Sequence, residues 1–426
     1  MTESFLHYIW QFQYFNKKHL VSADGEEINV FNPGIRNTNA GPDFSNARIS
    51  IGTLEWRGSV ELHIKSSGWT DHHHSDDAAY EKVILHVVWE NDQHIVRSDG
   101  SLMPTLELKD RVDLSLWESY RKLFTSGDPI PCTGQWPSVS SLVKMSMLDK
   151  VLAQRLELKA QRVMGMLKEN MGDWEETCYQ LLLSNFGFKV NTDAFSQLSR
   201  ILPYHVIRKH RDQQLQVEAL LFGAAGFLAT AHHDDYGYQL AREYAVLSKK
   251  FNLSEKQLHE SQWRFLRLRP ANFPTVRLAQ LAALLTTNTN LFSSMIHTES
   301  VKDILTWLQV PQSDYWQNHY QLGKAAGLVP AFGKSSAENV IINTVVPMLA
   351  AYSLSTDDQH YMDRALALLQ QLPAEKNVIT RQWKELGQNV KTAFDSQALI
   401  ELHNNFCMKR RCLECSVGAT IIKPLR

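Results

Sequence analysis

The sequence predicts an α+β domain built on a mixed sheet, followed by an all-α region. Three observations carry that expectation. From Leu20 to Leu108 the chain is broken at Gly25, Pro33-Gly34, Gly41-Pro42, Gly52-Thr53, Asn91-Asp92 and Asp99-Gly100. Alternating or continuous apolar runs lie between the breaks, which is the punctuation of strands and turns. Ahead of them, Phe5, Leu6, Ile9, Trp10, Phe12 and Phe15 recur every three to four residues, as on one face of a helix. Beyond residue 140 that helical spacing takes over: Leu148, Leu152, Leu156, Val163 and Leu167 form one stripe, and similar stripes run to about Leu402.

Residues 3–15 read as an amphipathic first helix. The strands expected are Ala47–Ile51, Ser59–Lys65, Val83–Trp89 and Thr105–Leu108. Val83 to Val88 is nearly unbroken in apolar character, as in a strand buried on both faces. The stretch 125–140 holds Ser126-Gly127-Asp128-Pro129, Pro131 and Pro137 and reads as a linker. The expected organisation is therefore an α/β domain over 1–124, a linker over 125–140, and a helical region over 141–426 that ends in a cysteine cluster. No fixed internal period marks a named repeat.

A chain of 426 residues exceeds one ordinary core. Hydrophobic residues at 44% and charged residues at 21% make it globular rather than disordered. Lys+Arg (44) and Asp+Glu (45) nearly cancel, so contact with nucleic acid has to come from a local patch. The first residues lack a basic segment leading into an apolar core, so a secretory leader is not expected. The longest apolar stretch, Ala219 to Ala231, is interrupted by Gly223, Gly226 and Thr230 and is shorter than the roughly 20 residues of a membrane span. Five cysteines, an odd number in a long chain, argue for reduced thiols or a metal site. A cytoplasmic protein with no membrane partner is the expectation; the oligomeric state is not legible.

The chemistry concentrates at Gly41-Pro42-Asp43-Phe44 and at Val60-Glu61-Leu62-His63-Ile64-Lys65. Side chains alternate along a strand, so Val60, Leu62 and Ile64 share one face and Glu61, His63 and Lys65 the other. Three ionisable groups in a row are costly to bury unless a cation or a substrate phosphate supplies the missing charge. If the segment after Asp43 pairs with 54–65 through the Gly52-Thr53 turn, Asp43 approaches Glu61. Two carboxylates meeting there suit Mg²⁺ or Mn²⁺, which would lower the pKa of a bound water and neutralise a scissile phosphate. Lys65 or His63 is placed to orient the water or to stabilise the transition state. The alternative is turn chemistry at Pro42-Asp43 and a solvated outer face at Glu61, His63 and Lys65.

This order resembles the PD-(D/E)XK, or restriction-endonuclease-like, superfamily: a helix, a hairpin with Pro42-Asp43, a strand with Glu61 followed by a basic residue, a crossover, and a buried strand. The resemblance implies a metal-dependent nuclease in which Asp43 and Glu61 hold the metal, with Glu3 matching an extra acid of some members. His63 stands two positions after Glu61 where that pattern has lysine, and lysine comes only at Lys65. Through Gly41–Phe44, Val60–His63, the histidines, Val83–Val88 and the last cysteines, the chain as a whole is similar to an uncharacterised bacterial family of unknown function.

Three further groups stand out. His72, His74 and Asp77 gather imidazoles and a carboxylate within a few residues, a set that suits Zn²⁺ or Fe²⁺ and a His-centred metallohydrolase; the alternative is a polar loop in which Ser75, Asp76 or Asp77 caps a short helix. His86, inside an apolar strand, reads as a hydrogen-bonded core histidine. Cys407, Cys412 and Cys415 lie within nine residues and suit Zn²⁺ or an iron–sulfur cluster, with His403 or Cys132 as a fourth ligand; the alternative is a set of reduced thiols. Some nucleases of the resembled superfamily hold a cluster by one cysteine far from three others, which directs attention to Cys132. Arg264, Arg267, Arg269 and Arg277, interleaved with Trp263 and Phe265, form a candidate nucleic-acid surface or a solvated helix face. Three functions follow: a divalent-metal nuclease, a non-catalytic nucleic-acid- or protein-binding module on a nuclease-like scaffold, and the His-centred hydrolase.

Overall fold

The computed structural model describes residues 1–229, 234–288 and 290–423. Two compact units emerge: Met1–Met147 with Leu402–Arg426, and Leu148–Glu401. The six-stranded sheet belongs to the first and the long run of helices to the second, which also carries a two-stranded hairpin (His319–Gln321 with Lys324–Ala325), so the region expected to be all-α is mostly helical.

In the first unit, helix α1 (Glu3–Phe12) opens on Thr2, whose hydroxyl accepts from the Phe5 amide at 3.3 Å. It buries Phe5, Leu6, Ile9 and Trp10 and stops at Gln13, which is left-handed (φ 52°). The sheet is formed by β1 (Ile28–Asn32), β2 (Ile35–Arg36), β3 (Phe44–Ile51), β4 (Leu54–Lys65), β5 (Val83–Glu90) and β6 (Thr105–Glu107). Its order is β1-β3-β4-β5-β6, with β2 also on β3. Strands β3 and β4 form an antiparallel hairpin around Gly52 (φ 58°), with Ile51 opposite Leu54 and Phe44 opposite Val60. Strand β5 runs parallel to β4, with Glu61 opposite His86. The link between them contains a short helix α2 (Gly68–Asp71) and two tight 3₁₀ turns, the crossover that parallel pairing demands. Val83, Leu85, Val87 and Val88 are all fully buried, because β5 lies between two neighbours and is covered on both faces.

Helix α3 (Leu114–Phe124) completes the described helices before residue 125. The stretch 125–140, expected to be a linker, belongs to the same unit, and Ile130, Cys132, Trp136 and Val139 are buried in it. The chain returns at Leu402, so the cysteine-bearing tail belongs with the sheet and not with the helical region to which its position in sequence assigned it. Proline-rich punctuation marks the absence of regular structure; it does not mark the absence of packing.

The second unit is mostly helical. Most of α4 (Ser141–Glu169) lies in it, and the stripe Leu148, Leu152, Leu156, Val163 and Leu167 is buried as its spacing predicts. Helix Pro274–Thr287 is buried over nearly its whole circumference. Residues Lys334–Thr356 are long and apolar enough to cross a membrane, but most of that span is buried within the protein. Of the apolar stretch Ala219 to Ala231, Thr230 and Ala231 lie outside the described residues.

Candidate metal centre

Asp43 directly precedes β3, and the antiparallel register sets it beside Glu61 on β4. The backbone fixes the pair. The Asp43 amide donates to Glu61 Oε2 at 2.9 Å, and the Leu62 amide donates to Asp43 Oδ2 at 3.0 Å. Each carboxylate is thus oriented by the other's strand, and Glu61 Oε1 is left facing inward.

Imidazoles close around that oxygen. His74 Nε2 stands 3.4 Å from Glu61 Oε1 and His63 Nε2 3.9 Å. His7 of α1 comes within 3.0 Å of Asp43 Oδ2. The ligand nitrogens of His63, His72 and His74 lie within 4.8 Å of one another. His63 Nδ1 meets His86 Nε2 at 2.9 Å, and His63 Nε2 meets His72 Nδ1 at 3.1 Å. The strand register explains the first of these contacts, since β4 and β5 set Glu61 across from His86 and leave His63 one pleat along.

The loop after β4 is built to deliver the histidines. Ser66 Oγ and Ser67 Oγ donate to Asp92, which ties the end of β4 to the chain after β5. Gly68 packs against His63: a Cβ there would sit 2.8 Å from the His63 ring. Trp69 is buried, and its Nε1 donates to Ser75 at 3.0 Å, which holds the loop closed. His73 takes a left-handed conformation (φ 57°), and the turn it makes brings His74 inward to stack on Tyr80 with centroids 3.8 Å apart. A cavity of about 370 Å³ opens beside His74, lined by Trp69, Ser75, Asp77, Tyr80 and Arg97.

Electrostatics follow from burial. Burial pushes the Glu61 carboxyl up to about 8; the charge of Asp43 adds to this and the Asp43 amide opposes it. His63 is pushed down to about 4, by burial first and then by His74 and His72. His86 goes down to about 3, again chiefly through burial, and His74 is lowered for the same reason. His74, whose protonation burial disfavours, stands beside a carboxyl that resists ionising. The side-chain nitrogens His7 Nε2 and His74 Nε2 are buried, close to carboxylate oxygens, and lack an aligned hydrogen bond. A divalent cation would satisfy both nitrogens and would favour ionisation of Glu61, so the residues present fit such a group.

The remaining sequence candidates are placed as follows. Lys65 is exposed and pairs with Asp92 at 3.9 Å, away from the two acids, because β4 has run out of the core by that pleat. Asp77 is exposed and accepts from the Ala79 amide at 2.9 Å, the capping role weighed against its metal role. Glu3 is exposed and acts on Glu61 only as a weak charge. Cys132, Cys407, Cys412 and Cys415 are buried, reduced, and all in the first unit. Arg264, Arg267 and Arg269 are exposed on the second unit. Arg277 is buried: it donates to Gln280 at 2.9 Å, Asn272 at 2.6 Å and Ser336 at 3.0 Å, and its guanidinium lies over Phe188. It is therefore a structural cation of that unit's interior and not an exposed phosphate contact.

Sequence reasoning did not single out His7. Its signal was its position one helical turn after Glu3 on a helix whose neighbouring positions are apolar. His86 was read as a core histidine; it is one, and it is also the hydrogen-bond partner of His63.

A family model described as "Protein of unknown function (DUF2851)" matches residues 3–378 of the chain. Comparison with curated proteins and with solved structures finds no match.

Proposed function

This chain belongs to the DUF2851 family, a membership that assigns no activity, and we propose from its own geometry that the sheet-bearing unit is a divalent-metal-dependent phosphodiesterase of the nuclease class. The observation that carries the reading is the locked pair Asp43 and Glu61 beneath three clustered imidazoles. The helix, hairpin, crossover and parallel strand around that pair are consistent with a restriction-endonuclease-like arrangement.

Asp43 and Glu61 would hold the cation, with His74 and His7 as the nearest nitrogen donors. The mixture of oxygen and imidazole donors suits Mn²⁺ better than Mg²⁺. A bound cation lowers the pKa of a coordinated water and offsets phosphate charge. His63 stands where the resembled superfamily has lysine, yet it is held neutral and cannot contribute positive charge. It supports the site by position, with Nδ1 directed at His86. His72 is exposed at the rim and within reach of His63, placed to exchange a proton with solvent or substrate. The exposed arginines Arg264, Arg267 and Arg269 are candidates for phosphate contacts.

The test is incubation of the full chain with single- and double-stranded DNA and RNA in Mn²⁺, in Mg²⁺ and in chelator. Cleavage that requires metal and disappears in Asp43→Asn and Glu61→Gln supports the reading. Absence of turnover on all four substrates would sink it and leave the scaffold as a binding module. The close approach of His63, His72 and His74 favours a second reading, a hydrolase centred on the histidines. Under that reading metal content falls in His72→Ala and His74→Ala but persists in Asp43→Asn.

A further inference from the structure

The tail of the chain offers a second cluster of ligands, independent of the first. Cys407 ends the helical stretch His403–Cys407, Cys412 opens a 3₁₀ turn, and Cys415 ends that turn, its amide donating to the Cys412 carbonyl at 3.3 Å. Cys132 comes from the other end of the unit, in a tight turn where its carbonyl accepts from the amides of Gln135 at 3.0 Å and Trp136 at 2.8 Å. Arg410 straps the two segments together. It donates through Nη1 to the Cys407 carbonyl at 3.0 Å and through Nη2 to the carbonyls of Ser126 at 2.6 Å and Asp128 at 3.0 Å. Its own backbone is left-handed (φ 53°), which orients the guanidinium back across the turn.

The four thiols share one neighbourhood, held wider than the 4.8 Å spacing of His63, His72 and His74. Cys412 and Cys415 both act electrostatically on Cys132, and Cys132, Cys412 and Cys415 all act on Cys407. All four are buried, at 7–8% exposure, and unbridged. The fifth cysteine shows what plain packing looks like: Cys178, in the helical unit, is buried against the Met295 sulfur at 3.3 Å with no other thiol beside it among the described residues. His403, the other fourth ligand weighed from sequence, engages Asn404 through Nδ1 at 2.9 Å.

The fold has also made space for this arrangement. Gly418 lies over the Cys412 carbonyl so closely that a Cβ would sit 2.2 Å from the oxygen, so helix Ser416–Ile422 reaches its place only with glycine there. The Ser416 amide points at the Met147 sulfur at 3.3 Å, which ties the cysteine turn to the end of the unit's first segment.

We propose that Cys132, Cys407, Cys412 and Cys415 hold one thiolate-ligated metal centre, either a zinc ion or an iron–sulfur cluster, that fastens the returning tail to the sheet-bearing unit. Four thiolates are a soft donor set that selects zinc or iron–sulfur chemistry over the hard cations suited to Asp43 and Glu61. Thiolates in the interior need a compensating cation, and a soft metal ion supplies it. Arg410 supplies compensating positive charge at the rim.

The test uses the full chain, purified anaerobically, with zinc, iron and acid-labile sulfide measured per chain. Zinc alone, or iron with sulfide and a visible absorption band, supports the centre and tells the two forms apart. That metal is lost in Cys132→Ser and Cys412→Ser and retained in Cys178→Ser, and it is also retained in His72→Ala and Asp43→Asn, which separates it from the other site. Wild-type protein with neither zinc nor iron, or metal kept by both cysteine variants, overturns the proposal. If the cysteine variants do not fold, zinc or iron retained by the folded His72→Ala/His74→Ala chain supports the centre, and its loss there overturns it.

Discussion

Asp43 and Glu61 hold each other in place through the main chain: the Asp43 amide donates to Glu61, and the amide next to Glu61 donates back to Asp43. The pairing is a product of strand register, Phe44 opposite Val60, and it leaves Glu61 Oε1 toward His74 and His63.

Removing either charge while keeping the shape should therefore abolish chemistry without unfolding the unit. Asp43→Asn and Glu61→Gln are expected to lower metal-dependent cleavage by about 10²-fold or more, with circular dichroism unchanged. Comparable turnover in both variants would show that the acids do not carry the reaction.

His86 is joined to the site by its hydrogen bond with His63. His86→Phe keeps the buried volume and removes the hydrogen-bond partner, so metal affinity should fall by about 10- to 100-fold. Isothermal titration with Mn²⁺ measures this, and an unchanged affinity would reduce His86 to a core residue.

The contribution of this site to the pH dependence of the metal-free protein follows from two opposed shifts. Glu61 is raised from 4.5 to about 8, so the folded state holds more protons and stability is lost as pH rises through that window. His63 and His86 are lowered from 6.5 to about 4 and about 3, so the unfolded state holds more protons and stability is lost as pH falls below 6.5. Between 4.5 and 6.5 the two effects oppose; from 6.5 to 8 Glu61 is the group of this site that acts, while Lys159 in the helical unit, lowered to about 7 by burial, works in the opposite sense above 7. The stability difference between chelated wild type and Glu61→Gln should shrink as pH rises from 6.5 to 8. Added Mn²⁺ should reverse it, because binding expels the proton.

Gly68→Ala places a methyl 2.8 Å from the His63 ring. The ring is held at both nitrogens, so it has no free direction in which to yield. Reduced Mn²⁺ affinity with a near-normal melting temperature is the expected outcome; wild-type binding would mean that the loop yields instead.

Arg277→Ala should destabilise the helical unit by about 2–4 kcal/mol, since it strands three polar partners and empties the space over Phe188. It should leave the salt dependence of any oligonucleotide binding unchanged, whereas Arg264→Ala, Arg267→Ala and Arg269→Ala together should reduce it. Chemical denaturation and a salt titration read the two effects separately.

The sequence by itself determined the element types, because strand and helix differ in apolar period and that period is local. The hairpin at Gly52-Thr53, the buried run Val83–Val88 and the stripe on α4 were all legible for that reason, and so was the meeting of Asp43 with Glu61, which needs only one hairpin register. Tertiary structure alone decided that His7 and His86 adjoin the acid pair and His63, that Lys65 turns away to Asp92, that Arg277 turns inward, and that Cys132 shares a unit with the tail cysteines. Those outcomes depend on which face of one element packs on another, and on a chain that leaves the sheet-bearing unit at Met147 and re-enters it at Leu402. Neither is encoded in the spacing of nearby residues.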